Sequence, residues 1–140
     1  MATDPRGIRV MLATAAKWAT STMLVIVGVI HLLPVTGAGG VSRLAALYGI
    51  TAADPNLEIL MRHRAILFGL LGAYLIYAAF RPALQPLALA AGFVSVASFL
   101  WLAYSVGQFN EQLSRVVVAD VLALVCLGVA TLGYRIQIGR

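Results

Sequence analysis

Glu58, Arg62, His63 and Arg64 fall within seven positions of one another in the stretch NLEILMRHR, and sixteen uncharged residues, 65–80, follow directly. Glu58 and Arg62 are four apart with the acid first, the favoured order for an ion pair along a helix. Arg62, His63 and Arg64 are consecutive, so on a helix they point in three directions. A second polar group comprises Asn110, Glu111, Arg115 and Asp120, the last set between VVVA and VLALV. An acid placed about 10 Å or more along an apolar helix should face protein and find a partner there. Arg64 and His31 are the partners expected for it; Arg115, five residues away, belongs to a different helical face.

Acid, histidine and arginine in one place suit proton transfer with stabilisation of developing negative charge, as in an isomerase or hydratase. On that reading Asp120, Glu58, His31 and His63 are candidate catalytic groups. Arg62, Arg64, Arg115, Tyr48 and Asn110 are candidate ligand contacts. A structural Asp–Arg or Asp–His clasp would use the same residues. His31 and His63 also fall at one end of two adjacent helices, an arrangement open to bis-histidine haem ligation. Histidines satisfied by a carbonyl or carboxylate are commoner, however, and no metal or other cofactor is expected. Metal and nucleophile motifs such as His-Glu-x-x-His and Gly-x-Ser-x-Gly do not occur. Phosphate chemistry lacks its Walker loop, and Gly37-Ala38-Gly39-Gly40 reads as a flexible turn. The single cysteine, Cys126, lies in VLALVCLGVA and reads as a small buried hydrophobe.

These groups must be held by membrane helices. The 140 residues are 61% hydrophobic and only 11% charged, with a mean hydropathy of +0.94, against about 25% charged in a soluble domain. The expected fold is therefore all-α and integral to the membrane. It is a single domain, a four-helix transmembrane bundle with spans at about 16–34, 57–80, 87–107 and 113–134, and a short interfacial helix from VSRLAALYGI between the first two. The basic flank before the first apolar run would suit a secretory signal, but the run is long enough to span, so an uncleaved anchor is expected. Pro34 closes the first span, and Asp54-Pro55 starts the second with an N-cap and a proline where its missing N–H costs nothing. A helix over 55–80 would reach about 39 Å, longer than the ~30 Å hydrocarbon core, with the excess at its charged end. Arg81-Pro82 stops it, and Asn110 is the expected N-cap of the fourth helix. Gly28, Gly69, Gly72, Gly92, Gly128, Gly133 and nearby alanines mark close helix approach. Tyr48, Tyr74, Tyr77, Trp18 and Trp101 read mostly as interface anchors.

Antiparallel packing then gathers every unusual polar residue at one end of the bundle. The other end bears Arg6, Arg9, Lys17, Arg81, Arg135 and Arg140 against Asp4. By the positive-inside rule both termini are cytoplasmic. The net charge of +5 is thus a topology signal, and no nucleic-acid partner is expected.

His31-Leu32-Leu33-Pro34, Leu47-Tyr48-Gly49-Ile50, Asn56-Leu57 with Arg62-His63-Arg64, Leu67-Phe68-Gly69, and Arg115 with Asp120 together resemble a group of short bacterial four-helix membrane proteins. Over about 18–132 the chain is similar in layout to the DoxX-like proteins. The resemblance implies a bundle in the bacterial inner membrane and says little about mechanism. The function expected is an extracytoplasmic-side polar pocket for a lipophilic small molecule, such as a quinone, isoprenoid or sterol-like compound, with acid/base residues suited to a small membrane enzyme. The alternative is a non-catalytic accessory or scaffold subunit. Its membrane surface would dock a larger membrane protein or a second copy.

Overall fold

In the computed structural model, residues 5–50 and 54–139 are described, and residues 1–4, 51–53 and 140, among them Asp4 and Arg140, lie outside them. The elements are α1 (Pro5–Leu32), a 3-10 segment (Leu33–Gly39), α2 (Val41–Tyr48), α3 (Pro55–Ala79), a 3-10 turn (Pro82–Leu84), α4 (Gln85–Val106) and α5 (Glu111–Ile138). No strand occurs among the described residues. The four helices α1, α3, α4 and α5 are long and apolar enough to cross a membrane.

Local chemistry explains most boundaries. The Asp54 carboxylate accepts from the Asn56 amide at 2.9 Å, and Asn110 accepts from the Leu113 amide at 2.8 Å, so both expected N-caps are formed. Helix α1 gives way after Leu32 to the 3-10 segment Leu33–Gly39, with Pro34, which has no N–H to continue the α ladder, at its start. Its start is much earlier than the expected span, and α5 runs on to Ile138. Helix geometry does not stop where hydrocarbon does. Where the two ends meet, Gly133 is set against the Ala16 carbonyl and Gln137 donates to Thr20 Oγ1, while positions 6–12 of α1 are exposed.

Each long helix packs antiparallel on the next. Ser21 donates to the Ala79 carbonyl near one end of the α1–α3 pair, while His31 meets Phe68 near the other. Thr20 donates to the Ala130 carbonyl across α1 and α5, and Leu127 packs over Gly92 between α5 and α4. The order around the bundle is therefore α1, α3, α4, α5. Helices α1 and α3 touch backbone to backbone: a Cβ on Gly72 would stand 2.7 Å from the Gly28 carbonyl oxygen. Of the expected close-approach glycines, Gly128 faces open space instead, because its helical face is not the one turned to a neighbour. The core between the helices holds Leu24, Val27, Leu75, Val96 and Leu127, all fully buried, with Cys126 beside them.

The two ends of the bundle differ. Near the end bearing the termini, Gln137 donates to Thr20 Oγ1 at 3.0 Å and Gln85 to the Ala79 carbonyl at 3.2 Å, while Gln85 Oε1 is buried with no hydrogen-bond partner among the described residues. At the other end α2 lies across the opening. Leu44 and Tyr48 point inward and are buried, packed with Met61, Leu113 and Val116 of α3 and α5. Tyr48 is thus a packing residue and not the interface anchor its aromatic ring suggests. Trp18, Trp101 and Tyr77 do face outward.

Candidate functional site

Beneath α2 the helix ends enclose a cavity of about 270 Å³. Its polar walls come from four elements: His31 of α1, Tyr48 of α2, Arg64 of α3, and Gln112, Arg115 and Asp120 of α5. Positions 112, 116, 119 and 120 recur at helical spacing, so one face of α5 forms a wall. Arg115 was expected on a different face from Asp120. Its backbone position does differ, but its long side chain reaches the rim and joins the lining.

The Arg64 guanidinium is held by aromatic rings. Its carbon lies 5.4 Å from the centroid of Tyr48, 5.1 Å from Phe68 and 5.9 Å from Phe99, all inside the ~6 Å range of cation–π attraction. Phe68 is four residues on from Arg64, the spacing at which helical side chains meet. Arg64 also directs an N–H toward Met61 Sδ at 4.0 Å. No carboxylate comes within ion-pair distance of Arg64 among the described residues.

Asp120 is the counterpart. It is partly buried and lines the same cavity, yet no donor among the described residues reaches its carboxylate. The sequence led one to expect a direct partner in Arg64 or His31. Instead the cavity lies between the acid and these bases. Tyr48 feels both charges: burial pushes its phenol above the usual value near 10, the Arg64 cation pulls it back, and Asp120 adds to the rise. The phenol therefore stays protonated at neutral pH and can donate a hydrogen bond.

His31 is 3% exposed and fully engaged. Its Nδ1 is 2.9 Å from the Val27 carbonyl, which can only accept, so this nitrogen carries the proton and donates. Nε2 is 3.1 Å from Ser95 Oγ and in the neutral ring accepts from that hydroxyl. With Phe68 5.6 Å away, the ring forms part of the cavity floor.

Apart from Arg115 at the rim, the remaining candidates lie outside the cavity. Glu58 and Arg62 form the expected ion pair at 3.0 Å, and Arg62 Nε also donates to the Ala38 carbonyl at 2.9 Å, which fastens the 3-10 segment to α3. His63 is exposed, while His31 is buried with both nitrogens occupied, so a haem between them would have to break two hydrogen bonds and draw in a side chain turned outward. No group of three metal-ligating side chains occurs among the described residues. Asn110 does not line the cavity. It donates from Nδ2 to the Tyr48 carbonyl at 2.7 Å and so latches the end of α2 to the α4–α5 turn. Arg115 pairs with Glu111 at 2.7 Å, both largely in the open. Such an exposed pair contributes little stability.

Phe68, Phe99, Ser95 and Gln112 were not among the site residues expected from sequence. Ser95 and Phe99 are four apart on α4, but nothing in their spacing says which helix they face. Comparison of the chain with protein families, characterised proteins and solved structures gives no match, so its function must be argued from this site.

Proposed function

We propose that this is an integral membrane protein that binds a lipophilic small molecule by its polar head in the cavity beneath α2. The class of ligand is a quinone, isoprenoid or sterol-like compound. One observation carries the reading: Asp120 and Arg64 line one cavity with opposite charges and do not touch. A clasp that existed only to join helices would close that distance, because an unpaired charge away from water is costly. Groups held apart across a space are arranged to meet something in it.

The arrangement also suits acid/base chemistry on a bound head, with Asp120 as proton acceptor, Tyr48 as a protonated donor and Arg64 stabilising negative charge. The site would lie toward the extracytoplasmic face of a bacterial inner membrane if the basic end holds the termini in the cytoplasm. Likeness in layout to the DoxX-like proteins supports the location alone. Native mass spectrometry of the purified protein, with extraction of co-purifying small molecules, tests the proposal. A defined lipophile present in the wild type and lost in Asp120→Ala and Arg64→Ala is expected. Bulk phospholipid alone, together with a stoichiometric protein partner, would replace this reading with that of an accessory subunit.

A further inference from the structure

We propose that the ligand is an uncharged amphiphile with one long tail, its head between Asp120 and Arg64 and its tail in a second cavity bounded by α3, α4 and the start of α5. This rests on the reading of the site given above. The second cavity has a volume of about 520 Å³, and Arg64, Phe68 and Phe99 line both spaces. The rest of its wall is mostly apolar, including Leu102, Val106, Phe109 and Leu113. Val106 is 81% exposed and Leu102 51%, so this space opens outward on the side where acyl chains would lie.

Size argues that the two spaces work together. Sites for organic ligands usually measure about 300–1,000 Å³. The first cavity alone, at about 270 Å³, falls just below that range and the second within it. A head in the first would be continuous with a tail in the second by passing beside the Arg64 guanidinium. The three rings around that cation keep it at the junction without a carboxylate to anchor it.

Charge decides the head. Among the described residues the cavity faces one free cation, Arg64, and one free anion, Asp120; Arg115 at the rim is already paired with Glu111 and His31 is fully hydrogen-bonded. These two charges balance. An anionic head would confront Asp120 and a cationic one Arg64, and either would leave net charge in a medium where interactions are poorly screened. A hydroxyl, with one proton and two lone pairs, can donate to the Asp120 carboxylate and accept from both Arg64 and the Tyr48 phenol, satisfying all three.

The test uses the full chain in lipid nanodiscs, with binding measured for three probes. These are farnesol, prenol (the same head on one isoprene unit) and farnesyl diphosphate. Farnesol is expected to bind at least tenfold tighter than the diphosphate. Ser98→Phe and Leu102→Trp, both at exposed positions lining only the second cavity, are expected to weaken farnesol about tenfold and leave prenol unchanged. Diphosphate binding as tight as farnesol overturns the uncharged head. Equal effects of the two variants on farnesol and prenol, or none on either, overturn the tail placement. If the wild type ignores farnesol but carries another lipophile that Asp120→Ala loses, this inference falls while the site stands; farnesol binding unchanged by Asp120→Ala removes both.

Discussion

At the scale of single residues, Asp120 separates a binding site from a structural clasp. Removing one member of a buried ion pair costs about 3–5 kcal/mol, because its partner is left charged and unmatched. Asp120 has no such partner among the described residues, so Asp120→Asn should change thermal stability in detergent by less than about 1 kcal/mol while lowering ligand affinity at least about tenfold. Loss of stability on the larger scale would mark a clasp. Arg64 makes a second prediction. A planar guanidinium stacks on rings, whereas an ammonium is a compact and strongly hydrated charge. Arg64→Lys keeps the charge and should still weaken binding by about 1–2 kcal/mol, with Arg64→Ala weaker again in the same titration. Tyr48 adds a dependence on pH. Its phenol is pushed above 10 by burial, so the neutral form is favoured in the folded protein. The stability this gives is fully present below the unfolded pKa and is lost as pH rises through the folded one. An ultraviolet titration of tyrosinate, with Tyr48→Phe as reference, should therefore show one phenol ionising later than ordinary tyrosine.

At the scale of elements, the site depends on how closely α1 meets α3 and on how α2 is fastened. Gly72 stands against the Gly28 carbonyl with no room for a side chain. Gly72→Leu should cost about 1–3 kcal/mol of stability, the usual penalty for overpacking, read as a lower melting temperature in detergent. Gly49 ends α2 at φ +64°, and a Cβ there would stand 2.8 Å from both Asn110 and Gln112 side chains. Gly49→Ala strains that turn and crowds the Asn110 latch at once. Hydrogen exchange should then speed up across 41–50 and ligand affinity should fall, with the melting temperature of the four long helices little changed. The two variants distinguish the scaffold from its cover. Much of this level was legible in sequence: Asp54-Pro55, Asn110, Pro34 and the small-residue stripe are local signals with local causes. The length of α1 and α5 was not, because helical hydrogen bonding continues past the apolar stretch that marks a span.

At the scale of the whole molecule, the charge asymmetry between the two ends gives a topology to test. With Cys126 replaced by alanine, Arg43→Cys should react with a membrane-impermeant maleimide in intact cells, and Ile136→Cys only after lysis. The reverse pattern would turn the molecule over and place the cavity on the cytoplasmic side. The sequence by itself determined that the chain is four apolar helices with Glu58, Arg64, Arg115 and Asp120 toward one end, because hydropathy, caps and helix breakers act over neighbouring positions. It also determined the Glu58–Arg62 pair, since both members sit on one helix four residues apart. Which polar residues share a cavity was decided only by the tertiary structure. That depends on how each helix is rotated about its axis, and rotation is set by contacts such as Gly28 on Gly72 that bring together residues far apart in the chain. The fold thus turned Arg64 into a cage of rings from three helices, turned His63 outward, and left Asp120 across a space from the base expected to pair with it.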